Sequence, residues 1–188
     1  MEPLLTSFVA AALAEWGAKT QLLVVLLAAR YRRPLPILLG VALAAIANSL
    51  IAAYAGALLH DRVPLRALAL LTALALLFAG GEGLFPAKPK PMAEGWRTGP
   101  FVTAACCFFL LEFADRTQFV TAAIAARFDA FALAGAGAAA GILVSSVPAA
   151  MLGGRLAKRV PLRAIRITAA ILFLIAAFLV AVNALRLV

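Results

Sequence analysis

Charge is scarce in this chain. Only 13% of its 188 residues are Asp, Glu, Lys or Arg, against 65% hydrophobic, and the mean hydropathy of +1.05 excludes an ordinary soluble domain. Histidine occurs once, as His60 beside Asp61, and no H-E-x-x-H or nucleophile–histidine pair is present, so hydrolytic chemistry is excluded and the chain is expected not to be an enzyme. The two cysteines, Cys106 and Cys107, are adjacent; that excludes a structural disulfide between them and leaves small apolar core residues. "GAKT" at 17–20 lacks the upstream glycine of a phosphate-binding loop. Missing too are the segments of about 10 residues, alternating in polarity, that build a membrane barrel. The N-terminus carries Glu2 and nothing basic before Lys19, unlike a cleavable signal, so the first apolar run is expected to stay as a helix.

What the chain has is long apolar runs. Crossing the hydrocarbon core takes about 20 residues of helix, and six such spans are expected, near 4–28, 35–59, 67–84, 100–126, 131–153 and 164–184. The predicted fold class is an all-α integral membrane protein, a single domain over 1–188 within the lipid bilayer. The formal net charge of +9 does not indicate nucleic acid, because the cations are segregated. Arg30, Arg32, Arg33, Lys88, Lys90, Arg97, Arg155, Lys158, Arg159, Arg163 and Arg166 follow the first, third and fifth spans; the other side holds Arg62, Arg66, Arg127 and Arg186. By the positive-inside rule the first set faces the cytoplasm and both termini lie outside it. The composition, rich in Ala and Arg, points to a bacterial inner membrane.

An internal repeat runs through the chain. An offset of 97 residues carries Glu15 to Glu112, Lys19 to Arg116, Thr20 to Thr117, Gln21 to Gln118, Gly40 to Gly137 and Ser49 to Ser146, and it carries "RVPLR" at 62–66 onto "RVPLR" at 159–163. Two units of three spans are implied, one over about 1–84 and one over about 100–188, joined by a cytoplasmic linker over about 85–99. A unit with an odd number of spans enters the membrane from opposite sides in its two copies. The result is an inverted repeat, whose equivalent elements meet near the midplane.

"EWGAKTQ" at 15–21 and "EFADRTQ" at 112–118 hold charges where lipid should surround the chain. Each such charge costs about 2.5–3.5 kcal/mol at a span centre on insertion scales. In unbroken helices, Glu15 and Lys19, and Glu112 and Arg116, stand i and i+4 and are expected to pair within their own helix. That leaves Asp115 over, on the face of Glu112. Carboxylates with the neutral oxygens of Thr20, Thr117, Gln21 and Gln118 suit a hard cation such as calcium, magnesium or manganese. Asn48, Ser49, Ser145 and Ser146 on the following spans serve either as interhelical hydrogen-bond partners or as further ligands, and the sequence leaves both open. "GAGAAAG" at 135–141, with Gly137 and Gly141 spaced for close helix approach, reads as packing.

The paired motifs resemble the duplicated E-x-G-D-[KR]-[ST] signature of the Gdt-type calcium/manganese:proton exchangers, also called uncharacterised protein family sixteen, across essentially the whole chain. The resemblance implies exchange of calcium or manganese, as transported substrate rather than cofactor, against protons. It maps the motif onto Glu15, Gly17, Lys19 and Thr20, and onto Glu112, Asp115, Arg116 and Thr117. Lys19 and Arg116 then act as counter-charges. Ala114 replaces a family glycine. Ala18 replaces a family aspartate, so three carboxylates face two cations and the divalent ion is expected to bind less tightly than in an Ala18→Asp chain. Competing readings are an exporter of another small cationic solute, such as a basic amino acid, and a non-transporting scaffold whose ion pairs fix helix register. The oligomeric state is left open.

Overall fold

A computed structural model describes residues 1–86, 96, 98–156 and 160–185. Most of the expected linker at 85–99, with Lys88, Lys90 and Arg97, lies outside the described residues, as do Lys158, Arg159 and Arg186. Among the described residues the regular structure is entirely helical: α1 Glu2–Glu15, α2 Lys19–Tyr31, α3 Pro34–His60, α4 Leu65–Leu84, α5 Pro100–Glu112, α6 Arg116–Phe128, α7 Phe131–Leu152 with a 3₁₀ turn at Gly153–Arg155, and α8 Leu162–Leu185. Alanine and leucine carry these helices through their interiors. Proline stands at the first or second position of α1, α3 and α5, where its missing N–H has no helical partner to lose.

Four helices, α3, α4, α7 with its 3₁₀ turn, and α8, are each long and apolar enough to cross a membrane. On α3, Leu35, Leu39, Leu43, Ile46, Leu50 and Tyr54 form an exposed apolar stripe, while Ile37, Val41, Ala44, Ala45 and Ala52 turn inward. An exposed stripe of that kind suits lipid contact, and its buried counterpart suits helix packing.

The expected first and fourth spans are not continuous helices. α1 and α2 are long and apolar enough to cross only as a pair, bent by 65°. The chain leaves α1 with Trp16 extended, turns through Gly17 at φ 72°, and enters α2 with Ala18 extended. α5 and α6 break in the same way: Phe113 is extended, Ala114 has φ 57° and Asp115 is extended. The two breaks are 97 residues apart, as are the left-handed caps Arg32 and Asp129 that end α2 and α6. The repeat in the sequence is therefore also written in the backbone torsions.

Small residues let the broken helices press against the long ones. A Cβ on Gly40 of α3 would lie 2.4 Å from the Phe101 carbonyl oxygen of α5, and one on Gly137 of α7 would lie 2.2 Å from the Leu4 carbonyl oxygen of α1. The packing reading of 135–141 holds, since a Cβ on Gly141 would likewise collide with the Phe8 carbonyl oxygen. His60 bonds the Ala126 carbonyl through Nδ1 at 2.7 Å, which ties α3 to α6.

Candidate functional site

Both breaks deliver their motif residues to one place. Glu15 is the last residue of α1 and Glu112 the last of α5; Ala18 and Asp115 are the N-cap positions of α2 and α6. Because the helices stop between the charges, the expected i, i+4 ion pairs within one helix do not form. Lys19 instead crosses to the other copy, with Nζ 2.6 Å from Asp115 Oδ1, and also stands 3.8 Å from Glu82 Oε1. Arg116 donates through Nη2 to the Ala14 carbonyl at the C-terminal end of α1, a position where the helix dipole favours a cation. Its Nε has no hydrogen-bond partner among the described residues.

One carboxylate oxygen from each of Glu15, Glu112 and Asp115 lies within 4.8 Å of the other two, and all three residues are buried. That spacing is about twice a calcium–oxygen bond of 2.3–2.6 Å. Thr20 and Thr117, one from each copy, donate their hydroxyls to the two oxygens of Glu15, the second at 2.7 Å. Glu112 differs. It is wholly buried, and neither of its oxygens has a hydrogen-bond partner among the described residues. A buried carboxylate left without donors is expensive unless it holds a proton or a cation.

The remaining candidates divide. Gln21 accepts from the Gly17 N–H at 2.9 Å and donates to the Ser145 carbonyl at 3.0 Å, so its amide clamps the first break to α7. Gln118 repeats half of this, accepting from the Ala114 N–H at 3.1 Å. Ser145 and Ser146 both donate back to the Ile142 carbonyl of their own helix. Asn48 donates to the Phe109 carbonyl at 3.1 Å, one turn before Glu112, and its Oδ1 is buried without a partner among the described residues. Ser49 is buried on the same helix. Glu82, on the last turn of α4, escaped the sequence reading, although an acid closing the apolar run "LLFAGGEGL" was a visible signal.

Half-helices whose ends meet at buried carboxylates, inside a bundle of apolar helices, are the arrangement of an integral membrane transporter. The comparisons bear this out. The model of the divalent cation/proton antiporter GDT1 family matches residues 3–91 and 100–187, and the chain belongs to that family. It is 37% identical over 178 residues to a Vibrio cholerae serotype O1 protein described as a "Putative manganese exporter", covering 94% of this chain and 89% of that one. No solved structure matches it.

Proposed function

We propose that this protein exchanges a divalent cation, manganese or calcium, for protons across a membrane, with Glu15, Glu112 and Asp115 as the seat that the two ions share. The observation that carries this reading is Glu112, a fully buried carboxylate with two unpartnered oxygens, set among two other acids. A proton satisfies it in one half of the cycle and a metal in the other. Competition for the same oxygens, combined with exposure to each side in turn, is sufficient for antiport. Lys19 holds Asp115 when the metal has left, and Arg116 sets a second positive charge at the end of α1 beside Glu15.

The chain crosses the membrane six times in this reading, α1–α2 and α5–α6 each forming one bent crossing, and its halves are inverted repeats. The contacts of Gly40 with Phe101 of α5 and of Gly137 with Leu4 of α1, related by the 97-residue offset, support that arrangement, as do the matched breaks. Manganese is the cation named for the Vibrio relative, and hard oxygen ligands suit it as well as calcium. The test is flux in liposomes: an imposed manganese or calcium gradient should move protons the opposite way. Lysine or arginine in place of the metal should not. Metal-independent proton movement, or coupling to basic amino acids, would overturn the proposal.

A further inference from the structure

Asp115 Oδ1 holds the Lys19 ammonium at 2.6 Å, so that oxygen and much of the carboxylate's charge are engaged before a metal arrives. A cation that takes up Asp115 competes with the ammonium for that charge, and a part-buried ammonium pushed aside needs another counter-ion. One stands ready. Glu82 Oε1 is 3.8 Å from the same Nζ, and its side chain is 37% exposed where that of Asp115 is 4% exposed. Lys19, at 25%, lies between them. Glu82 is thus the outer and Asp115 the inner of two acids that share one lysine.

Resting on the cation-exchange reading above, we propose that Glu82 is a positioning residue for transport: it receives Lys19 when the metal takes Asp115 and returns it when the metal leaves. Glu82 also restores the charge removed at Ala18. With it, four carboxylates face Lys19 and Arg116, and the formal sum is −2, the complement of a divalent ion. The device belongs to one copy only, because the 97-residue offset carries Glu82 to Leu179, which is exposed on α8. Arg116, the counterpart of Lys19, has no ion pair with any described acid. The seat for a displaced cation is therefore at one mouth of the site, beside the end of α4.

The experiment is manganese binding to the full chain in detergent, read from the electron paramagnetic resonance signal of the free ion, which needs no transport. Glu82→Gln should weaken binding about fivefold, the upper end for one partly exposed charge partner, and Glu82→Asp should recover most of it. In a Lys19→Gln background, Glu82→Gln should change the affinity less than about twofold, because no lysine remains to be received. An unchanged affinity in Glu82→Gln, or an equal loss with and without Lys19, would overturn the relay while leaving the cation site standing. Failure of the unsubstituted chain to bind manganese or calcium would overturn both.

Discussion

The two motif copies share a backbone and differ in how their charges are satisfied. Each ends a helix on a glutamate, turns through one left-handed residue and starts a second helix two residues later. In the first copy Glu15 takes two threonine hydroxyls and Lys19 has two acids; in the second, among the described residues, Glu112 takes nothing and Arg116 has only a backbone carbonyl. A duplicated scaffold has thus been divided into a satisfied half and a poised half. What the difference teaches is that, of the three clustered acids, the one without a donor among the described residues lies in the second copy, while Glu15 and Asp115 are each held by a partner from the other copy.

The sharpest way to break this comparison is to neutralise the two glutamates separately. Glu112→Gln and Glu15→Gln should each lower manganese affinity by about a hundredfold, since each removes a charged ligand. Their effects on stability should part. At alkaline pH, where no proton satisfies it, Glu112→Gln removes an orphaned buried carboxylate and should raise the melting temperature of the metal-free protein, whereas Glu15→Gln disturbs two hydroxyl bonds and should lower it. Equal shifts in thermal unfolding would mean that the two acids are satisfied alike and that the poised half does not exist.

The helical class, the limits of α3, α4, α7 and α8, and the three acids Glu15, Glu112 and Asp115 that come together were legible in the sequence, and Glu82 was not read from it. Long apolar runs and the positions of charge within them are one-dimensional facts. The breaks were not legible as breaks, because hydropathy averages over Gly17 and Ala114 and cannot register one residue turning left-handed. That single torsion changed the pairing: it carried Lys19 away from Glu15 and across to Asp115, a partner 96 residues distant. Gln21 and Gln118 gave no hint of clamping the turns, since the bonds they make exist only once the helix has been interrupted.

Gly17 tests whether the first break is as fixed as it looks. A Cβ there would lie 3.0 Å from the Leu162 carbonyl oxygen and 3.2 Å from Arg166 Cβ, at φ 72°. Gly17→Ala should cost about 2 kcal/mol, combining left-handed strain with crowding. Chemical denaturation in detergent measures it. In the second copy Ala114 already bears a Cβ at φ 57°. Ala114→Gly should therefore stabilise the protein by about 0.5–1 kcal/mol, the relieved torsion exceeding the extra chain entropy of glycine. The two substitutions have opposite signs only if both turns are held as described.

The smallest expected effect concerns the position where the copies differ in charge. Ala18 and Asp115 hold nearly the same torsions, φ −76° and ψ 165° against φ −85° and ψ 168°. Applying the relation of Asp115 with Lys19 to the other copy sets an aspartate at 18 against Arg116. Most of its charge would then be spent on that guanidinium, which now makes do with the Ala14 carbonyl. Ala18→Asp should accordingly tighten manganese binding, but only by about threefold, far less than a free fourth carboxylate would give. In a Glu82→Gln chain the same change should recover more, because the formal charge there is one short of the divalent complement. A gain equally small in both backgrounds would show that Glu82 does not supply the charge missing at Ala18.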